Sequence, residues 1–117
     1  MPLIQIQTSA EPPPPERQSA LLLELSKTLA RELSKPEQYM MTSLFPRAAM
    51  TFGGTAEPAC FAQISNIGEL SEALTGRLSA VVCRLLSEGL GVARDRIYLE
   101  FCEVEAHQWG FDGGTFA

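Results

Sequence analysis

The chain has 117 residues, of which 45% are hydrophobic and 20% are charged, and its formal net charge is −5. This length and composition predict one compact domain over residues 1–117, with a sizeable core and no room for a second full domain. The acidic balance argues against nucleic acid or an anionic membrane surface as the main partner.

The chain begins with Met1 and Pro2, and Pro2 is the most informative residue of this segment. Methionine removal normally follows when the next residue is small, and it would leave Pro2 as a free secondary amine. Such an amine can accept a proton, whereas an internal proline nitrogen is an inert amide. The chemical character of Pro2 therefore depends on a single cleavage.

The first half of the chain predicts a strand, a helix and a second strand. Residues 3–7 nearly alternate apolar and polar side chains, as in a strand. Prolines 12–15 end it, and leucines recur at helical spacing from Glu16 to Leu33. Lys35-Pro36 ends the helix, and Tyr39 to Phe45 predicts the second strand.

The second half repeats this order. Residues 50–54 predict a short strand and turn, and Cys60 to Ser65 predicts a longer strand. Asn66 and Glu69 have the spacing of a capping box, which predicts that a helix starts there and continues until glycines 89 and 91. A strand rich in branched and aromatic residues follows over residues 96–104.

These elements predict tandem β-α-β repeats, an α/β domain of two layers. Its four-stranded mixed sheet would carry both helices on one face. The other face would lack a cover, and the first and last strands carry much apolar side chain. We therefore expect the open face or the strand edges to contact other subunits. The apolar residues behind this expectation are Ile4, Ile6, Ile97, Leu99 and Phe101.

The chain resembles the macrophage migration inhibitory factor family, within the tautomerase superfamily, from end to end. The resemblance lies in residues 1–4, 34–39, 50–58, 65–68, 95–100 and 114–117, in the same order as in the family. It implies a homotrimer of β-α-β repeats whose sheets surround a channel, with active sites between subunits. It also implies a cofactor-free keto–enol tautomerase acting on aromatic α-keto acids such as phenylpyruvate.

The resemblance assigns roles to four residues. Pro2 would be the general base and then the acid, because an α-amine titrates at about 7.7–8.0 and burial or nearby positive charge lowers that value. Lys35 would bind the substrate carboxylate or polarise the keto oxygen. The backbone N–H of Ile67 would bind the carboxylate, which a helix start would favour, and the hydroxyl of Tyr98 would come from the neighbouring subunit.

The remaining residues implied for the site include departures from the family pattern. Glu100 stands where the best-known members have asparagine, and a carboxylate there would raise the pKa of Pro2 and repel an acidic substrate. Glu69 replaces a lysine, and Ala59 and Ala62 replace the Cys-x-x-Cys of animal members, so dithiol–disulfide activity is not expected. The pocket wall and mouth would be formed by Tyr39, Trp109, Phe111 and Phe116.

Each of these residues also has a purely structural interpretation. Pro2 would then be an ordinary second-position proline, Lys35 a solvated residue at a helix end, and Tyr98 a cross-strand aromatic. Two other functions therefore stay open: a cytokine-like signalling or interaction trimer with weak or vestigial activity, and a binding module for a small aromatic acid.

Location and redox state follow from what the sequence lacks. No apolar run approaches the length of a transmembrane helix, and no signal peptide is visible, which predicts a cytoplasmic protein with leaderless secretion left open. Three cysteines without paired spacing favour reduced thiols. His107, the only histidine, has no nearby cysteine pair, so a metal site is not expected.

Overall fold

The computed structural model describes residues 2–117, and Met1, whose removal the predicted chemistry requires, lies outside the described residues. Two long helices and four long strands alternate along the chain, and a small hairpin follows. The strands and helices are β1 (Leu3–Thr8), α1 (Pro15–Glu32), β2 (Met41–Phe45), β3 (Cys60–Ile67), α2 (Glu72–Leu90), β4 (Ile97–Val104), β5 (Gly110–Phe111) and β6 (Gly114–Thr115).

The four long strands form one mixed sheet in the order β2-β1-β3-β4. β1 pairs in parallel with β2, and β3 pairs in parallel with β4, because a helix connects the strands of each pair. The two β-α-β units meet through the antiparallel pair β1–β3, with Leu3 opposite Ser65. The predicted tandem repeat and four-stranded mixed sheet are confirmed.

The helices cover one face of the sheet and bury it. Leu25 and Leu29 of α1 and Leu78 and Leu86 of α2 are fully buried. They pack in one cluster with residues of the sheet such as Ile64. Their spacing at i, i+4 and i, i+8 places them on one side of each helix, which confirms the predicted apolar stripe of α1.

The start of α2 differs from the prediction. Asn66 does not cap this helix, because Asn66 and Ile67 continue β3. The N-cap is Ser71, whose hydroxyl accepts a hydrogen bond from the N–H of Leu74 at 3.2 Å. The predicted capping box of Asn66 and Glu69 was therefore wrong. Gly91, with φ of 69°, ends the helix as expected for a left-handed cap.

Two shorter segments also differ from expectation. Tyr39 lies in a 3-10 turn (Glu37–Tyr39) before β2 rather than in the strand. In the segment 50–54, the backbones of Phe52 and Thr55 exchange two hydrogen bonds of 3.0 and 3.1 Å. They close a turn around Gly53 and Gly54 that forms only an isolated bridge, so the predicted short strand is absent there.

The open face of the sheet is more polar than predicted. Ile4, Ile6 and Ile97 point toward the helices and are buried. Leu99 and Phe101, partly buried, pack against the same core. These five residues do not need the predicted second cover, because strand alternation places them all on the covered face.

The residues of opposite parity form the open face. Its middle row, in register across the strands, consists of Ser43, Gln5, Gln63 and Glu100. Exposed apolar side chains remain on the edge strands, with Met41 63% and Phe45 57% exposed on β2 and Tyr98 65% exposed on β4. Among the helices that the structure describes, none is both long and apolar enough to cross a membrane.

Candidate active site

Pro2 lies directly before the first residue of the central strand β1 and is fully buried. Its carbonyl accepts a hydrogen bond from the N–H of Met41 at 3.1 Å, which fixes it against the start of β2. A cavity of about 310 Å³ opens beside it. The cavity is lined mainly by apolar and aromatic residues, among them Pro2, Met41, Tyr39, Trp109, Phe111 and Phe116.

Three aromatic rings form one wall of this cavity. The ring of Tyr39 meets those of Phe111 and Phe116 edge to face, at centroid distances of 5.6 and 5.8 Å. Phe111 and Phe116 stack at 5.2 Å. The hairpin β5–β6 folds the end of the chain back, and the N–H of Phe116 bonds the carbonyl of Trp109 at 3.2 Å. Such a wall suits a flat aromatic group.

Lys35 and Ile67 meet beside this end of the sheet. The ammonium group of Lys35 donates a hydrogen bond to the carbonyl oxygen of Ile67 at 2.8 Å. Ser34, with φ of 54°, turns the chain after α1, and the N–H of Lys35 bonds the carbonyl of Ala30 at 2.9 Å. Ile67 does not lie at a helix start as predicted, because it ends β3 and α2 begins five residues later.

Tyr98 and Glu100 lie apart from this cavity. Both are on the open face of β4, and neither lines the cavity beside Pro2. Tyr98 packs against Phe52, with ring centroids 4.8 Å apart. Glu100 accepts a hydrogen bond of 2.7 Å from the side chain of Gln63. Within one chain, the structure thus groups Pro2 with the four predicted wall residues and leaves Tyr98 and Glu100 on another surface.

The cysteines differ in exposure, with Cys60 buried and Cys83 and Cys102 partly exposed. All three cysteines are free. Cys60 is buried in the core of the sheet. Burial, helped by the nearby Cys83 thiol, raises the pKa of Cys60 to about 12, so the nucleophilic thiolate is scarce at neutral pH. Among residues 2–117, no group of three or more His, Cys, Asp or Glu side chains is arranged to hold a metal ion.

Sequence reasoning missed the position of Asn66. It is 3% exposed, and its side-chain oxygen Oδ1 has no hydrogen-bond partner within the described chain. The alternation of buried Cys60, Ala62 and Ile64 continues to Asn66 and could have revealed it as a buried strand residue. The stronger capping-box pattern concealed this.

Comparisons with known proteins agree with this architecture. The family model described as "Macrophage migration inhibitory factor (MIF)" matches residues 1–117. The macrophage migration inhibitory factor of Rattus norvegicus is 35% identical over 96 residues, covering 82% of this chain and 84% of that protein. The homolog from Brugia malayi is 32% identical over 98 residues, covering 84% of this chain and 85% of that protein.

Solved structures show the same fold. The crystal structure of the macrophage migration inhibitory factor homologue from Prochlorococcus marinus has a TM-score of 0.91 at 44% identity, covering 98% of this chain and 99% of that one. The corresponding protein of Toxoplasma gondii also has a TM-score of 0.91, at 28% identity, with 97% and 99% of the two chains covered.

Proposed function

Because the chain belongs to the macrophage migration inhibitory factor family, we propose that it is a cofactor-free keto–enol tautomerase acting on α-keto acids such as phenylpyruvate. Family membership supports a tautomerase-type or cytokine-like function in general. The observation that carries the more specific proposal is the buried Pro2 beside an aromatic-walled cavity. The cavity offers a wall for the phenyl ring, and Pro2 offers a base once Met1 has been removed.

Pro2 moves one proton in this reaction. As a free amine it takes a proton from the carbon next to the keto group, so that a C–H bond breaks and an N–H bond forms, while the keto oxygen takes a proton from solvent to give the enol. In the reverse direction it returns that proton to carbon while the enol oxygen loses its own to solvent. A base with a pKa near the working pH performs both steps best, and burial of the amine lowers its pKa toward that range.

Lys35 supplies the positive charge for the substrate. One of its three ammonium donors is used by the carbonyl of Ile67 at 2.8 Å, which leaves two donors for the substrate carboxylate or keto oxygen. The backbone N–H of Ile67 is the proposed second contact to the carboxylate. The bond between Lys35 and Ile67 supports this pairing because it holds the ammonium group at the same end of the sheet as Pro2.

A neighbouring subunit completes the proposed site. Tyr98 is in register with Phe61 and Gln7. Gln7 is five residues from Pro2 along β1, a distance of about 17 Å at 3.3–3.4 Å per residue. Tyr98 is therefore too far away to serve the cavity of its own chain, and Glu100 lies with it on the open face, outside that cavity, so both would serve the Pro2 cavity of another copy. We propose a homotrimer in which they do so, with Tyr98 donating a hydrogen bond to the substrate and Glu100 weakening the binding of acidic substrates.

The experiment follows the enol absorbance of phenylpyruvate with wild type, Pro2→Ala and Pro14→Ala, after mass spectrometry has shown that Met1 is removed. Pro14 is an exposed proline before α1 and serves as the control. Loss of the general base should lower kcat/KM by roughly 100-fold or more in Pro2→Ala, whereas Pro14→Ala should behave as wild type. A wild-type rate equal to that of buffer would overturn the proposed activity. Equal rates in wild type and Pro2→Ala would overturn the role of Pro2.

The acidic residues at two family positions favour one alternative, a cytokine-like signalling or interaction trimer with vestigial activity. Glu69 is exposed, and Glu100 carries its charge on the open face. Under this alternative, protein from its natural source keeps Met1, and the proline nitrogen stays an amide. Intact mass measurement of that protein separates the two, because mainly processed chains would remove the support for a silent site.

A further inference from the structure

The side-chain oxygen of Asn66 is a buried hydrogen-bond acceptor without a donor among residues 2–117. The residue is 3% exposed, and Oδ1 has no partner among residues 2–117. A buried acceptor without a partner is costly, and native structures contain few of them. A group that supplies a donor in the mature protein would explain why a polar side chain occupies this position.

The register of the sheet places Asn66 opposite Pro2. β1 and β3 are antiparallel, with Leu3 opposite Ser65 and Ile4 opposite Ile64. Continuing this register by one residue sets Pro2 against Asn66, on the face that the helices cover. Side chains directly opposite each other in such a pair have Cβ atoms about 4.5–5.5 Å apart. The amide of Asn66 is therefore within reach of the Pro2 ring.

Oδ1 of Asn66 receives no hydrogen bond from the ammonium group of Lys35, although both residues approach Gly68. Its nitrogen Nδ2 lies on the side of Gly68, 3.5 Å from the point that a Cβ at Gly68 would occupy. The ammonium nitrogen of Lys35 is 3.8 Å from that same point. Oδ1 forms the other branch of the planar amide, so the nitrogen of Asn66, rather than its oxygen, is the terminal atom nearest Gly68.

We propose that Oδ1 of Asn66 accepts a hydrogen bond from the free amine of Pro2 and so positions that amine for proton transfer. An internal proline nitrogen carries no hydrogen, so Oδ1 gains this donor only when Met1 is removed. Asn66 is a positioning residue here, because it acts on Pro2 rather than on the substrate. The inference rests on the proposed function for its importance to catalysis, but the hydrogen bond itself can be tested without turnover.

Other charged groups surround Pro2 and act on the same titration. Lys35, after α1, favours the neutral amine. Glu103 of β4 lies in register beyond Asn66, but its carboxylate already accepts a hydrogen bond from the N–H of Leu70 at 2.6 Å. Glu37 and Tyr39 precede β2, and the residues that follow them, Met40 and Met41, do not titrate. In the proposed trimer, Tyr98 and Glu100 add a hydroxyl and a carboxylate.

The test is an NMR titration of Pro2 in Met1-processed protein carrying ¹³C- and ¹⁵N-labelled proline. The acceptor stabilises the protonated amine, so Asn66→Ala should lower the midpoint by roughly 0.5–1 pH unit. Asn66→Asp places a carboxylate there and should raise the midpoint above that of wild type. Thr8→Val is the control, because Thr8 is also buried and hydrogen-bonded on β1, with a 2.8 Å bond to the carbonyl of Ala59 far from Pro2. It should lower stability and leave the midpoint unchanged.

Two readouts keep this inference separate from the proposed function. The acidic limb of the kcat/KM profile for phenylpyruvate should move in the same direction as the NMR midpoint. If wild type is inactive but the Pro2 midpoint increases from Asn66→Ala to wild type to Asn66→Asp, the hydrogen bond is supported and the proposed activity fails. If the midpoints of folded Asn66→Ala and wild type agree, the inference is overturned even when the enzyme is active. Should Asn66→Ala fail to fold, an unchanged midpoint in Asn66→Asp overturns it.

Discussion

The raised pKa of Cys60 predicts that the protein loses stability in alkali. The thiol is buried in the core and must stay neutral there, and its pKa is about 12 in the folded chain against 9.0 for an ordinary thiol. A group whose pKa is higher in the folded state contributes its full stability below the unfolded value. That contribution disappears as the pH rises from about 9 to about 12, because the unfolded chain releases the proton first.

The size of the loss follows from these two values. Each pH unit between them removes about 1.4 kcal/mol, so the thiol alone accounts for roughly 4 kcal/mol over the whole interval. Between pH 9 and pH 11 the loss is about 2 kcal/mol, because the thiol of the unfolded chain is only half titrated at pH 9. Cys60→Ala has no such proton to lose, so its free energy of unfolding should decline less steeply by this amount.

Urea unfolding of wild type and Cys60→Ala at several pH values measures the difference. Other groups titrate in the same range, but they are common to both proteins and cancel in the comparison. A second assay is alkylation with iodoacetamide at pH 8 under native conditions. Cys60 should react about 1,000-fold more slowly than an ordinary thiol, because its thiolate fraction is that much smaller. Parallel stability curves, or a Cys60 that reacts as fast as the partly exposed Cys83, would refute this reasoning.

Two further predictions concern the open face and the second helix. Glu100→Gln keeps the acceptor for Gln63 but removes the charge, so kcat/KM for phenylpyruvate should rise several-fold if Glu100 faces the substrate of a neighbouring subunit; unchanged kinetics would place Glu100 outside the site. Ser71→Ala removes the cap that accepts the N–H of Leu74 and should cost about 1 kcal/mol in urea unfolding. Ser79→Ala makes the same change at an exposed position inside α2 and serves as its control, and an equal effect of both would contradict the assignment of the cap.

The strands and helices could be predicted well from the sequence because their patterns are local. The leucine spacing of α1 and the alternation in β1 reflect which side chains the core takes up. The start of α2 could not be predicted in this way, since two capping signals compete. Asn66 with Glu69 has the better sequence pattern, but pairing of β3 with β4 holds the backbone at Asn66 and Ile67 in the sheet. Ser71 therefore caps α2 instead of Asn66.

The faces of the sheet were harder to assign than its strands. Alternation in β1 separates Ile4 and Ile6 from Gln5 and Gln7. It does not show which of these two faces the helices cover, because other strands of the sheet carry apolar residues on both faces. The structure resolves this, because Ile4 and Ile6 are fully buried while Gln5 and Gln7 are exposed. The same parity separates Tyr98 and Glu100 from the covered face of β4.

The gathering of aromatic residues beside Pro2 also lay beyond local patterns. Tyr39 is more than 70 positions away from Phe111 in the chain, and their contact depends on the hairpin β5–β6 that turns the end of the chain back. Neither strand of this hairpin exceeds two residues, too short for a periodic signal. Only the resemblance to the family indicated that these residues would share one pocket.

The place of Pro2 in the fold explains how one cleavage can create a base without rebuilding the site. β1 is a central strand, held by β2 on one side and β3 on the other. A proline is tolerated at the first position of such a strand, because it has no N–H to leave unpaired. Removal of Met1 adds a donor and a lone pair at a position whose backbone is already fixed by the bond to Met41. Under our proposal, the unpaired oxygen of Asn66 lies opposite that new donor. The hydrogen-bond acceptor for the amine is therefore already in position before Met1 is removed.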